Sequence, residues 1–258
     1  MRSTPDVVEY VDYLKTDKPS MTATEVRSRL LEDGICIAEN LPSTRSVYDI
    51  FSRDLKYTYK KLAKIPSERF TEANLALFNR YIDTISNIDQ ATLHFFDECG
   101  VKRTTGNRDY GHSVKGQPAF EVQRYASDVN YTVNLLHGVT GVDYFNILNG
   151  PSNSLEMLHF FGEVLELVDD RGNPLLMPGD TVVMDNCGFH HERNAEIMLR
   201  QMLGDRQINL VFQPPYSPEF NTCELCFRQL KAYLRRNDIF SLRFTELAIR
   251  EAIGEKGI

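Results

Sequence analysis

The chain is most constrained by what lies between Thr181 and Arg236. An apolar, β-branched run, Thr181-Val182-Val183-Met184, delivers Asp185-Asn186. A segment of helical periodicity follows from Glu192 to Leu203, then a second apolar run, Ile208-Asn209-Leu210-Val211-Phe212. Gln213-Pro214-Pro215-Tyr216-Ser217-Pro218 makes a turn, and a helix carrying Glu224 near its start comes next. Short runs of this composition between turn residues read as buried strands of a parallel sheet. Asp185 then stands at the C-terminal end of a strand, where such a sheet opens to solvent and an acid is placed for chemistry.

Upstream, the pattern predicts the rest of that sheet. Leu93-His94-Phe95-Phe96-Asp97 reads as a strand ending in an acid, with the glycine-punctuated segment from Arg103 to Gln117 as a candidate partner. Tyr131 to His137 and Val142 to Leu148 read as two strands joined through Gly138-Val139-Thr140-Gly141 as a hairpin. Leu155 to Val168 is amphipathic helix, and Phe244 to Ile253 is the last helix of the chain. Three strands, then helix and strand in alternation, predict an α/β domain over residues 91–258, with a mixed sheet flanked by helices.

Residues 1–66 carry a different signal, a small all-α module. Thr4-Pro5 opens a helix with Val7, Val8, Val11 and Leu14 at helical spacing, and Thr22-x-x-Glu25 is a capping box for a second, stopped at Gly34. Ser43 caps a third, over residues 43–54, with Val47, Ile50 and Phe51 inward and Ser43, Thr44, Arg45, Ser46, Tyr48 and Asp49 outward. Three short helices with a hydroxyl-rich last one fit a helix-turn-helix module, whose final helix enters the DNA major groove. Many trihelical bundles bind no DNA, so both readings stand on these residues alone. Residues 67–90 are a helical connector, preceded by a basic, aromatic stretch in which Lys60 and Lys61 are candidate DNA-backbone contacts.

Three blocks together carry a family resemblance: LHFFDECGV (93–101), MDNCGFHH (184–191) and QPPYSPEFNTCE (213–224). In this order they resemble the signature blocks of mariner-like transposases, in the DDE superfamily of endonucleases with an RNase H-like catalytic fold. The resemblance implies that Asp97, Asp185 and Glu224 are a catalytic triad holding divalent metal, two Mg2+ (or Mn2+) ions. It places His190 or its neighbour His191 near the active site, and implies double-stranded DNA (transposon terminal repeats and target DNA) as partner and a homodimer as working unit. The chain departs from the pattern where relatives read Asn-Pro-Ile-Glu before a tryptophan: it has Asn221-Thr222-Cys223-Glu224, then Phe227, and no Trp anywhere. Relatives carry two helix-turn-helix units and only the second is apparent here, which reads as an N-terminally truncated member of a divergent branch.

The chemistry suits the residue types. Phosphodiester cleavage needs charge neutralised on the attacking and leaving oxygens, which two cations about 4 Å apart supply when carboxylates converge on them. Each acid also has a plain structural reading. Alternation along a strand allows only one of Asp97 and Glu98 into the site, and the resemblance selects Asp97. Asp185-Asn186 also reads as a turn after a strand, in which Asn186 fixes the loop by side-chain hydrogen bonds. Glu224 completes a capping box from Asn221 and so also reads as a helix cap. Arg228 and Lys231 share a helix face with Glu224 and are candidates for DNA phosphates. The alternative function is a domesticated or decayed transposase-derived protein that binds DNA without cutting it.

Charge and cysteine content bound the remaining classes. A net charge of −7 excludes a uniformly basic nucleic-acid binder, so contacts must come from local basic clusters at 45–69 and 225–243. Five scattered cysteines argue for reduced thiols. A zinc site from Cys187, His190, Cys223 and Cys226 is the minor reading beside buried apolar thiols. No run reaches the roughly 18 apolar residues of a membrane span. The expected compartment is intracellular: nuclear in a eukaryote, cytoplasmic otherwise.

Overall fold

The computed structural model describes residues 4–123, 130–168, 171–186 and 193–254, and the chain divides after Ile65 into two compact units. The first is trihelical. Helix α1 (Pro5–Asp17) has Pro at its start, and the hydroxyl of its N-cap residue Thr4 makes no capping bond. Helix α2 (Ala23–Glu32) has the expected box, with the Glu25 amide 3.3 Å from Thr22 Oγ1 and the Thr22 amide 2.6 Å from Glu25 Oε2. Ser43 caps α3 (Thr44–Asp49), accepting from the Ser46 amide at 3.1 Å, and the helix runs on as a wider π turn to Asp54. Val7, Val11, Leu14, Val26, Leu30, Val47 and Ile50 bury one core between the three. Arg45 and Tyr48 face solvent, and Asp49 holds Arg45 and Arg53 as loose i,i+4 pairs.

The second unit opens with α4 (Glu72–Ile85) and continues as β1 (Leu93–Lys102), β2 (Asn130–Gly138), β3 (Gly141–Asn149), α5 (Ser154–Glu166), β4 (Thr181–Met184), α6 (Arg193–Gly204), β5 (Asn209–Phe212), α7 (Cys223–Arg236), α8 (Asp238–Arg243) and α9 (Thr245–Gly254). The strands form one sheet in the order β3-β2-β1-β4-β5. The first three pair antiparallel, while β1–β4 and β4–β5 are parallel. β4 is buried at every position, as a strand covered on both faces must be. Phe96, Val182 and Met184 pack under α5 and α6 with Phe160 and Phe161. On the other face Cys99, Val101, Val133 and Leu135 pack under α7 and α9. Helix α4 lies on that same face, with Tyr81 against Leu93 and Val183. The segment 103–117 does not pair with β1: it is one 3-10 turn followed by irregular chain, and β2 takes its place. Glycines at 106, 111 and 116 leave that segment without the alternating side chains that hold a strand in register.

One polar cluster ties the sheet's lower end together. His94 on β1 is buried with both ring nitrogens facing carboxylates: Nδ1 is 2.8 Å from Asp143 Oδ2 and Nε2 is 3.3 Å from Asp180 Oδ2. Asp143 reaches it because β3 bulges there, with Leu136 opposite Tyr144 and His137 opposite Val142. Gly138 leaves the room, since a Cβ there would lie 2.7 Å from Asp143 Oδ2. Burial pulls the His94 pKa down, but the bond and charge of Asp143, then those of Asp180, outweigh it and raise the value above the ordinary 6.5. A raised histidine contributes stability in full below about pH 6.5 and loses it as pH climbs through the folded value. The urea midpoint of the chain is therefore expected to fall as pH rises above about 6.5. His94→Gln is expected to flatten that slope and to cost about 3–5 kcal/mol at neutral pH, since it strands the two carboxylates. A parent midpoint constant over this range contradicts the charged-imidazole assignment.

Candidate active site

The sheet register brings the first two acids together. β4 pairs with β1 from Leu93↔Thr181 to Phe96↔Met184 and then stops, so Asp97 and Asp185 are the next residues on adjacent parallel strands. Asp97 is not at a strand end: β1 runs on to Lys102 against β2. The sheet therefore opens beside Asp97 on one side only, where β4 has ended.

Helix α7 brings the third. Its N-cap Thr222 makes no side-chain capping bond, so the box expected between Asn221 and Glu224 does not form. Asn221 instead works in two directions, its Oδ1 accepting from the Cys223 amide at 3.0 Å and its Nδ2 donating to Asp97 Oδ2 at 2.9 Å. One buried side chain thus fixes the start of the helix that carries Glu224 and the orientation of the acid on β1. From β2, His137 Nδ1 shares a 2.9 Å hydrogen bond with Thr222 Oγ1 and ties the same turn to the sheet. Glu224 is left exposed toward the opening.

Asp97, Glu98, Asp185, Asn186, Gln213 and Glu224 line one open cleft of about 470 Å³, whose far wall is the turn Pro214–Pro218. Glu98 belongs to it, against the expectation from strand alternation, because the cleft wraps over the end of β4 and reaches both faces of β1. The turn is held from outside: Arg69 Nη1 donates to the Tyr216 carbonyl at 3.2 Å, and Arg69 also pairs with Glu219. Tyr216 takes a left-handed φ of 59°, which costs a non-glycine residue about 1–2 kcal/mol. Burial, first, and then the charges of Asp185, Glu98 and Glu224 push the Asp97 carboxyl up to about 7, although the Glu98 amide donates to it.

A desolvated group of like charges is the deficit that a hard cation fills, and carboxylate oxygens are the donors Mg2+ or Mn2+ prefers. The buried Gln213 amide nitrogen lines the same cleft with no hydrogen-bond partner among the described residues. The donor set fits such an ion in its chemistry. Among the described residues, however, no three acid, histidine or cysteine side chains stand close enough to grip one as they are.

The other candidates fall in several places. Ser43, Thr44, Arg45, Ser46 and Tyr48 lie on or at the start of α3, and Lys60 and Lys61 are exposed in irregular chain. Arg228 is exposed on α7, whereas Lys231 is half-buried against the Cys99 thiol. His190, His191 and Cys187 lie outside the described residues. Cys223 and Cys226 are buried thiols whose pKa values burial pushes up, and Cys223 Sγ points to the Phe95 carbonyl at 3.2 Å. Sequence reasoning missed the roles of Asn221 and Gln213. The signal for Asn221 was its place three residues before Glu224, read only as a cap; Gln213 carried none beyond following an apolar run.

Comparison with known proteins gives two family models. One described as "DDE superfamily endonuclease" matches residues 92–244, and one described as "'Paired box' domain" matches residues 1–52. Paired box protein Pax-8 of Xenopus laevis is 36% identical over 66 residues, which is 26% of this chain and 13% of that protein. Among solved structures, the Mos1 transposase paired-end complex with left transposon end matches with a TM-score of 0.63 at 16% identity, over 91% of this chain and 66% of that one. The Mos1 mariner paired end complex with Mn matches at 0.58 and 14%, over 98% and 80%. At these identities the likeness is one of fold: a mixed α/β domain preceded by a paired-like helical module. The chain spans about an eighth of the curated relative and two thirds of the first structure.

The raised acid has a measurable consequence. A carboxyl whose folded value exceeds its ordinary 3.8 destabilises the fold once ionised, so apo stability falls as pH rises from about 4 to about 7. Asp97→Asn, which cannot ionise, is expected to match the parent near pH 4 and to exceed it by about 1–3 kcal/mol at pH 8 in urea unfolding without metal. Equal stability of the two at both pH values refutes the assignment.

Proposed function

The chain belongs to the DDE superfamily endonuclease family, and on that basis we infer that it is a metal-dependent transposase that cuts DNA at transposon ends and transfers the freed 3′-hydroxyl to target DNA. The observation that carries the reading is the shared cleft: Asp97, Asp185 and Glu224, from two strands and a helix, meet around one opening. When bound there, a divalent cation supplies charge neutralisation on the phosphodiester and a more acidic water. The three acids would hold it, with Glu98 and Asn186 at the rim. Asn221 keeps Asp97 turned toward the cleft by its 2.9 Å bond. The braced turn Pro214–Pro218 walls the cleft on the far side, and Gln213 brings an amide donor for a phosphate oxygen or a ligand carboxylate.

DNA recognition is assigned to α3 with Ser43, Thr44, Arg45, Ser46 and Tyr48, and backbone grip to Lys60, Lys61, Arg228 and Lys231. Support comes from the paired-like character of residues 1–52 and the exposure of Arg45, Tyr48 and Arg228. The same reading makes the chain a homodimer on DNA, nuclear in a eukaryotic host.

Asp185→Ala is expected to lower metal-dependent nicking of supercoiled DNA by more than the roughly 100-fold typical of losing an outer-shell partner, with DNA affinity retained. A parent that binds DNA but nicks it in neither magnesium nor manganese identifies the alternative, a domesticated DNA-binding protein. Asn221→Ala is expected to weaken manganese binding by about 10–100-fold, read by titration without substrate. Unchanged manganese affinity removes Asn221 from the ion's support.

A further inference from the structure

Away from the acid cleft, a second concavity lies beyond the end of β1, a shallow groove of about 310 Å³ lined by Arg103, Arg243, Arg250, Glu246, Tyr131 and Phe244. Arg250 is committed to Glu246 one turn back, with Nη2 2.9 Å from Oε1. Arg103 and Arg243 have no ion-pair partner among the described residues. In a chain whose net charge is −7, two guanidinium groups without an ion-pair partner among the described residues, beside an exposed phenyl ring, make a local cationic and partly apolar surface.

The groove is held rigidly. Arg103 opens the 3-10 turn Arg103–Gly106, where Thr105 Oγ1 accepts from the Lys102 amide at 2.8 Å. Gly106 approaches α7 so closely that a Cβ would lie 2.9 Å from the Leu234 carbonyl oxygen, which only glycine allows. Helix α9 begins in the groove at Thr245, so its first-turn N–H groups add partial positive charge to that of the arginines.

Arg103 is the first residue beyond the end of β1 and follows Asp97 by six positions, a separation of at most about 20 Å at roughly 3.3 Å per residue. A duplex advancing about 3.4 Å per base pair covers that span in about six base pairs. A lone phosphate calls for enclosed, convergent donors, whereas an open groove with cations beside a ring suits a backbone passing through, its sugars against Phe244. We propose that this groove grips the phosphodiester backbone of DNA about six base pairs from the cleft, Arg103 and Arg243 each contacting one phosphate. The proposal rests on the reading of the chain as a DNA-acting enzyme.

The test is the salt dependence of duplex binding by the full chain, read by fluorescence anisotropy. The Arg103→Gln/Arg243→Gln variant is expected to bind specific and scrambled duplexes equally more weakly, with the slope of log affinity against log salt shallower by about 2. Arg243→Gln alone, at an exposed side chain with no ion pair among the described residues, is expected to lower the slope by about 1 with an unchanged thermal melt, so misfolding does not account for the effect. Arg200→Gln/Arg206→Gln, on the α6 side of the sheet, is the control for bulk charge. An unchanged slope in the groove variants, or an equal drop in the control, overturns the groove while leaving the proposed function standing. Absence of DNA binding by the parent overturns both. Calorimetric binding of inorganic phosphate that the double variant loses, with its DNA slope unchanged, makes this a small-anion site and overturns the polynucleotide reading.

Discussion

Strand β4 is only four residues long, and the acid-lined cleft exists because of that. Its parallel pairing with β1 runs to Phe96↔Met184, and beyond that pair the chain of β4 turns away while β1 continues against β2. Asp97 and Asp185, each the next residue after that last pair, then share a gap in the sheet, with no further strand pairing on that side among the described residues. A β4 longer by two residues would carry the pairing past Asp97 and fill the opening with ladder hydrogen bonds.

What the gap needs is a way to hold acids that repel one another. Asp97 is largely buried, its carboxyl pushed up to about 7 by desolvation and by its acidic neighbours. The fold supplies donors to both its oxygens, the Glu98 amide and Asn221 Nδ2, and places the start of α7 through the same asparagine. This is stability given up at one place for chemistry and held elsewhere, by the two apolar layers on either face of the sheet and by the Asp143–His94–Asp180 cluster at its lower end. The two polar clusters differ in how their acids are compensated: one lacks a positive charge, and in the other two carboxylates close around one imidazole.

Much of this was legible. The strand and helix order followed from short apolar runs and helical periodicity, and the α2 box and the α3 cap were readable because capping chemistry is local. The positions of Asp185 after a strand and of Glu224 at a helix start were readable too, while their choice as site residues came from the family resemblance. The errors have a common cause. Asp97 was taken for a strand end, 103–117 for a candidate pairing partner of β1, and Glu98 for a residue facing away from the site, each because local pattern does not encode which neighbour is present. Whether β1 goes on depends on β2, and whether Glu98 reaches the cleft depends on where β4 stops.

The sequence by itself determined the elements, their order, the trihelical module and the mixed sheet, because periodicity, capping and turn chemistry act over a few residues, while the choice of Asp97, Asp185 and Glu224 came from the family resemblance. Tertiary structure alone decided what those acids meet. Asn221 spans from α7 to Asp97, Asp143 reaches His94 through a bulge, Arg69 braces a turn far along the chain, and Gly106 admits the α7 backbone. Each depends on register and close approach between segments distant in the chain, set by packing of the whole sheet and its helices and not by any stretch of it.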